Sequence, residues 1–128
     1  NTARMSECRG PVDQDDDVPC VHVRCLGARD AEPEWVAYLE HGLEEEGVPW
    51  LVEFDAADDS VAAAHGAALE SALKIGVSVH ETRIVVHHKQ LPDDDPVFDV
   101  SGVTASDARD LGSNAARLAK GTPLKSLD

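Results

Sequence analysis

Two apolar runs, Lys74 to Val79 (KIGVSV) and Arg83 to His87 (RIVVH), are separated by only His80-Glu81-Thr82. Three residues can turn a hairpin. They cannot carry a parallel crossover, which needs about a dozen. The two runs are therefore predicted to be antiparallel neighbours. The chain upstream has a different rhythm. In Val18 to Leu26 (VPCVHVRCL), Val21, Val23 and Cys25 alternate with His22 and Arg24, as in a strand. Trp35, Tyr38, Leu39 and Leu43 then recur at helical spacing. Pro33 suits a first helical position, and Gly47 suits a left-handed cap after Glu46. Val48 to Phe54 (VPWLVEF) reads as a second strand, and a strand–helix–strand unit runs parallel. Joining the hairpin to this unit predicts a three-layer α/β/α sandwich with a mixed, mostly parallel sheet.

The remaining elements fit that frame. Asp55 to Ser60 carries turn and N-cap chemistry. Val61 to Leu73 reads as an Ala-rich helix with Val61, Ala64, Ala68 and Leu69 along one side. Gly76, isolated between strand residues, marks a close backbone approach. Leu91 to Pro96 is an acidic loop, and Val97 to Val100 is a candidate for one more short strand. Thr104 to Lys120 is the last helix, with Thr104 and Asp107 in a capping arrangement. Its stripe is Ala108, Leu111, Ala115, Leu118 and Ala119. Gly112 within it costs about 1 kcal/mol relative to Ala, which leaves a start at Ser113 as an alternative. Gly121 and Pro123 end the helix. Residues 1–17, polar and ending in Asp15-Asp16-Asp17, are predicted as a flexible acidic tail. Residues 18–128 are then one domain, as the length of 128 residues suggests.

Charge excludes several functions. Against 25 acidic residues stand 11 Lys and Arg, for a net charge of −14. A nucleic-acid binder needs a basic patch, so nucleic acid is not an expected partner. An anionic membrane surface is disfavoured for the same reason. No apolar run approaches the roughly 20 residues of a membrane span. The polar opening residues predict no signal peptide, hence a cytoplasmic location. Cysteines number three. Cys20 and Cys25 lie five apart on a strand and point to opposite faces, so buried reduced thiols are expected rather than a metal clamp. His87 and His88 are predicted to face opposite sides in the same way, one inward and one outward. There is no G-x-S-x-G, no H-E-x-x-H and no Gly-rich phosphate loop, so no catalytic residue is assigned.

One cluster stands out. Glu44-Glu45-Glu46 crowds three carboxylates into the last turn of the first helix. That end of a helix is negative, so each Glu is misplaced by up to about 1 kcal/mol. A solvated face tolerates this. The alternative is a cation that offsets it, either Mg²⁺ or an Arg from a partner. Asn114, Arg117 and Lys120 lie at helical spacing and offer either a solvated face or a polar docking face.

Four segments, in order, resemble one family. They are GLEEEGVPW (Gly42 to Trp50), SALKIGVSV (Ser71 to Val79), IVVHHKQLP (Ile84 to Pro92) and GSNAARLAKGTPL (Gly112 to Leu124). Together they resemble the small subunits of the reactivases of coenzyme-B12-dependent diol and glycerol dehydratases, over about residues 18–127. Ala72 departs from the pattern, standing where Pro is common. The resemblance implies an anticodon-binding-domain-like fold, shared with the dehydratase's own medium subunit. It also implies a large ATPase subunit as partner and the dehydratase as client. The small subunit swaps with the dehydratase medium subunit, so that damaged cobalamin is released. The role is chaperone-like, not enzymatic. Cytoplasmic placement goes with it, and a bacterial microcompartment is an alternative address. Glu45 matches the family's middle Glu, which reaches Mg²⁺ at the interface with the large subunit. Glu44, Glu46, His88, Lys89, Asn114 and Arg117 are candidate partner-binding residues, the last four as matches to family motif positions. A dehydratase medium subunit itself is the alternative reading.

Overall fold

The computed structural model describes residues 18–27, 35–56 and 58–125. The 1–17 tail with Asp15–Asp17, Cys8, and Pro33 lie outside the described residues. The elements run β1 (Val21–Leu26), α1 (Trp35–Glu45), β2 (Trp50–Asp55), α2 (Ser60–Glu70), β3 (Ile75–His80), β4 (Arg83–His88), β5 (Phe98–Val100) and α3 (Ala105–Lys120). The sheet order is β2-β1-β3-β4-β5. β1 pairs in parallel with β2 and β3, while β3–β4 and β4–β5 are antiparallel. The chain moves one way along the sheet from β1 to β2 and back the other way to β3. Crossovers share one hand, so that reversal puts α1 and α2 on opposite faces. Among the described residues, no helix is long and apolar enough to cross a membrane.

Strand alternation sorts the two faces. Val21 and Val23 of β1, Trp50 and Val52 of β2, Ile75, Val77 and Val79 of β3, and Ile84 and Val86 of β4 point to one side. They meet Val36, Leu39 and Leu43 of α1 and Ala108, Leu111, Ala115 and Ala116 of α3 in the main core. The register explains this: Val23 lies beside Val52 and Val77, and Val77 beside Val86. Among the described residues, α2 is the helix that covers the opposite face, which is more polar. There Ser78 Oγ donates to the Ser60 carbonyl at 2.7 Å, and the His87 ring lies 4.6 Å from the His65 ring.

The α2 stripe differs from expectation. Its buried residues are Ser60, Ala63, Ala64, Ala67 and Ala68, while Leu69 is 50% exposed. The reason is the close approach at Gly76. A Cβ there would stand 2.2 Å from the Ala64 carbonyl oxygen. Only small residues allow that spacing, so the larger Val61 and Leu69 turn away. Gly112 also differs. It lies inside α3, which starts at Ala105 with a capping box between Thr104 and Asp107. The isolated-helix cost of Gly112 is overridden by contact between helices, since a Cβ on it would fall 2.0 Å from the Leu39 carbonyl oxygen. Gly42 makes the reciprocal approach, since a Cβ on it would fall 2.1 Å from the Arg109 carbonyl oxygen.

Candidate functional site

The acidic end of α1 is closed by its backbone. Gly47, at φ 73°, takes the left-handed conformation that a Schellman end needs. Gly47 N–H donates to the Glu44 carbonyl at 3.0 Å and Val48 N–H to the Leu43 carbonyl at 3.3 Å. The last turn is thereby fixed, and Glu44, Glu45 and Glu46 fan out from it. Glu44 and Glu45 are exposed and Glu46 is half-buried.

The Gly42–Gly112 crossing brings α3 over this end with three cations. Arg109 pairs with Glu45 Oε2. Arg117 Nε donates to Glu46 Oε2 at 3.0 Å. Lys120 Nζ donates to Glu46 Oε1 and to the Glu46 carbonyl, each at 2.9 Å. The cation that the helix dipole called for is therefore supplied, for Glu45 and Glu46, from within the chain. This removes the electrostatic need for an outside ion that the cluster suggested by itself. A Mg²⁺ can still be accommodated on a narrower basis. Glu45 keeps a second carboxylate oxygen and has a side chain 35% exposed. Mg²⁺ takes one or two protein carboxylates, so Glu45 would be the single ligand from this chain, with the other ligands from elsewhere.

Lys120 and then Arg117 hold the Glu46 carboxyl below the ordinary value of 4.5. A depressed carboxyl contributes stability above its unfolded value and loses it as pH falls through the folded one. Denaturant unfolding at pH 7 and pH 3 should therefore show a smaller acid loss for Glu46→Gln than for the natural chain. Equal losses would mean that this clamp does not hold in solution.

The motif residues have separate places. Lys89 is exposed, and its N–H donates to the Lys74 carbonyl at 2.9 Å. His88 is half-buried and accepts from Gln90 N–H at 3.0 Å through Nδ1. Burial, then the charge of Lys74, push its imidazole below 6.5. His87 is fully buried, as expected for the inward member of the pair. Its Nδ1 accepts from His88 N–H at 2.9 Å, and Nε2 lies 3.2 Å from the Asp93 carbonyl. Nδ1 also lies 3.1 Å from the His88 carbonyl. With the proton on Nε2, His87 would accept from His88 N–H and tie the acidic loop to the sheet. Asn114 requires a correction. It is fully buried, not on a docking face. Its Nδ2 donates to the Lys125 carbonyl at 3.1 Å, and its Oδ1 accepts from Lys125 N–H at 2.6 Å. Arg117 adds a bond from Nη1 to the Pro123 carbonyl at 3.2 Å. The NAAR segment thus fastens the residues that follow α3.

Two groupings escaped the sequence reading. Glu40 is buried on α1 and accepts from Trp50 Nε1 at 3.0 Å. On the α2 face, His22, Arg24, Glu53, Asp55 and Glu70 gather across β1, β2 and the end of α2. Arg24 Nη2 is 2.9 Å from Glu70 Oε1 and Nη1 is 3.9 Å from Asp55 Oδ2. His22 Nδ1 is 3.8 Å from Glu53 Oε1. Burial alone lowers the His22 imidazole, but Cys20 and Glu53 outweigh it and carry it up to about 9. The available signal was the alternation of polar residues in VHVRC and VEFD. It became informative only with the parallel register that sets Arg24 beside Glu53. Cys20 and Cys25 are both buried and lie on opposite faces, as expected.

A family profile described as "Dehydratase medium subunit" matches residues 18–125. The chain is 42% identical to the propanediol dehydratase-reactivating factor small subunit of Salmonella typhimurium over 87 residues, 67% of this chain and 75% of that one. It is 40% identical to the diol dehydratase-reactivating factor small subunit of Klebsiella michiganensis over 88 residues, 68% of this chain and 70% of that one. A solved diol dehydratase-reactivating factor complexed with ADP and Mg²⁺ contains a chain that superposes with a TM-score of 0.78 at 31% identity, covering 86% of this chain and 100% of that one. A glycerol dehydratase reactivase chain superposes with a TM-score of 0.77 at 31% identity, covering 85% and 98%. With fold, motifs and relatives in agreement, the chain belongs to the dehydratase medium-subunit family, and within it to the small subunits of diol dehydratase-reactivating factors.

Proposed function

We propose that this chain is the exchangeable small partner in a reactivating factor for a coenzyme-B12-dependent diol or glycerol dehydratase. It pairs with a large ATPase subunit, which binds and hydrolyses ATP. It leaves that subunit while its counterpart, the medium subunit, leaves the dehydratase, and the damaged cobalamin escapes. The chain itself is an accessory, acting in the cytoplasm. One observation carries this reading. The matching profile is described by the dehydratase medium subunit, whereas the relatives near 40% identity are reactivating-factor small subunits. A single fold occurring on both sides is what a swap of subunits requires.

Glu45 is the proposed contact to Mg²⁺ at the interface with the large subunit. Its support is the motif match and the reactivating-factor structure that was solved with ADP and Mg²⁺. Glu44, Glu46, His88, Lys89 and Arg117 are proposed to border the partner, with Glu46 and Arg117 acting through the end of α1 that they fix. Copurified cobalamin would instead favour a dehydratase medium subunit.

The test is a pull-down with the large subunit, with and without ADP and Mg²⁺. A stable complex is expected. Glu45→Ala should weaken it by about tenfold or more and abolish its Mg²⁺ dependence. Wild-type affinity in Glu45→Ala would remove the metal role. Absence of any complex would remove the partner assignment.

A further inference from the structure

The polar cluster under α2 is outside every motif of the proposed function. Three separate elements bring it together: His22 from β1, Glu53 from β2 and Glu70 from the last position of α2. One ligand atom from each of these residues lies within 4.8 Å of the other two. Tetrahedral zinc ligands at about 2.1 Å from the metal stand about 3.4 Å from one another. His22 Nδ1 and Glu53 Oε1, at 3.8 Å, are already near that separation. Glu70 is 58% exposed and can close the remainder by a side-chain rotation.

Three further features favour a cation there. His22 Nδ1 is sealed from solvent, and Glu53 Oε1, which pairs with it at 3.8 Å, stands beyond hydrogen-bond distance. A buried nitrogen without a partner is costly unless something meets it. The end of α2 is negative, and its last turn carries no basic residue of its own. Among the described residues, Arg24 meets the carboxylates of Asp55 and Glu70, and Glu53 lies beside it in register. Arg24 holds one oxygen of Glu70, which leaves that carboxylate its second oxygen for an ion. The geometry points to a site for a zinc-class transition-metal dication, held by His22, Glu53 and Glu70, with Arg24 and Asp55 bordering it. An imidazole beside two carboxylates selects such ions over Mg²⁺ or Ca²⁺, which prefer oxygen alone. The ion takes the place of the proton on His22 and ties β1, β2 and α2 together. The site is independent of the reactivase reading.

Co²⁺, whose visible absorption reports its ligands, is the probe, added to the untagged full-length chain. One equivalent should bind and raise the thermal midpoint. Glu70→Gln, on an exposed side chain, should weaken binding by about a hundredfold or more, since losing a partner one shell further out already costs about 10- to 100-fold. His22→Asn should do the same. Glu45→Gln should bind Co²⁺ like the natural chain, which separates this site from the acidic end of α1. No stoichiometric binding to the natural chain overturns the proposal. So does binding that survives Glu70→Gln and His22→Asn, or that is lost in Glu45→Gln.

Discussion

Gly112→Ala should destabilise the folded chain by about 3 kcal/mol or more, the upper range for forcing extra volume into a packed site. The sign is the informative part. In an isolated helix the same change is favourable by about 1 kcal/mol. Here the added Cβ would meet the Leu39 carbonyl oxygen at 2.0 Å and the Leu39 Cα at 3.1 Å, and both are backbone atoms that no rotamer can move. α1 and α3 must separate, and with them Leu39, Leu43, Leu111 and Ala115 lose their fit in the core. For a domain of this size the thermal midpoint should fall by about 10 °C. Gly42→Ala should behave alike, because its Cβ would meet the Arg109 oxygen at 2.1 Å. A rise in the midpoint for either variant would show that the two helices do not touch backbone to backbone.

Asn114→Ala should cost about 2–3 kcal/mol and act at a distance from its own helix. The buried amide makes two hydrogen bonds to Lys125, one donated and one accepted. Leaving buried groups unpaired costs about 1–3 kcal/mol. The amides from Thr122 to Lys125 should then exchange hydrogen faster, while those of β3 and β4 stay protected. Asn114→Asp tests the mechanism further. It retains the acceptor and loses the donor, so protection at Lys125 N–H should persist better than in Asn114→Ala. Unchanged exchange in that segment with Asn114→Ala would remove the assigned role.

The fold was legible because its signals are local. The alternation in KIGVSV and RIVVH, the short His80-Glu81-Thr82 link and the caps at Gly47, Thr104 and Gly121 all act within a few residues. What misled was the step from pattern to depth. The α2 stripe was read from the largest side chains, yet the inward face is set by the smallest, because Gly76 draws the helix close. Gly112 looked like a flaw for the same reason, since its value exists only against Leu39. At the acidic end of α1 a cation from outside the chain was the expected answer, yet Glu45 and Glu46 meet counter-charges of their own chain. Their partners Arg109, Arg117 and Lys120 lie over sixty residues away, and only the crossing of α1 and α3 brings them near. The polar face of β1 was hidden similarly, since Glu53 and Glu70 join His22 through the parallel register.

The Arg109–Glu45 pair bears on how any visitor reaches this surface. A guanidinium tethered on a neighbouring helix competes at an effective concentration of order millimolar or above. An arginine arriving at the same carboxylate oxygen would therefore exchange places with a resident one, and the displaced Arg109 would be available to an acidic group of whatever had docked. An exchange of that kind would leave the sum of charge at the seam nearly unchanged, so its strength would rest on geometry more than on long-range attraction.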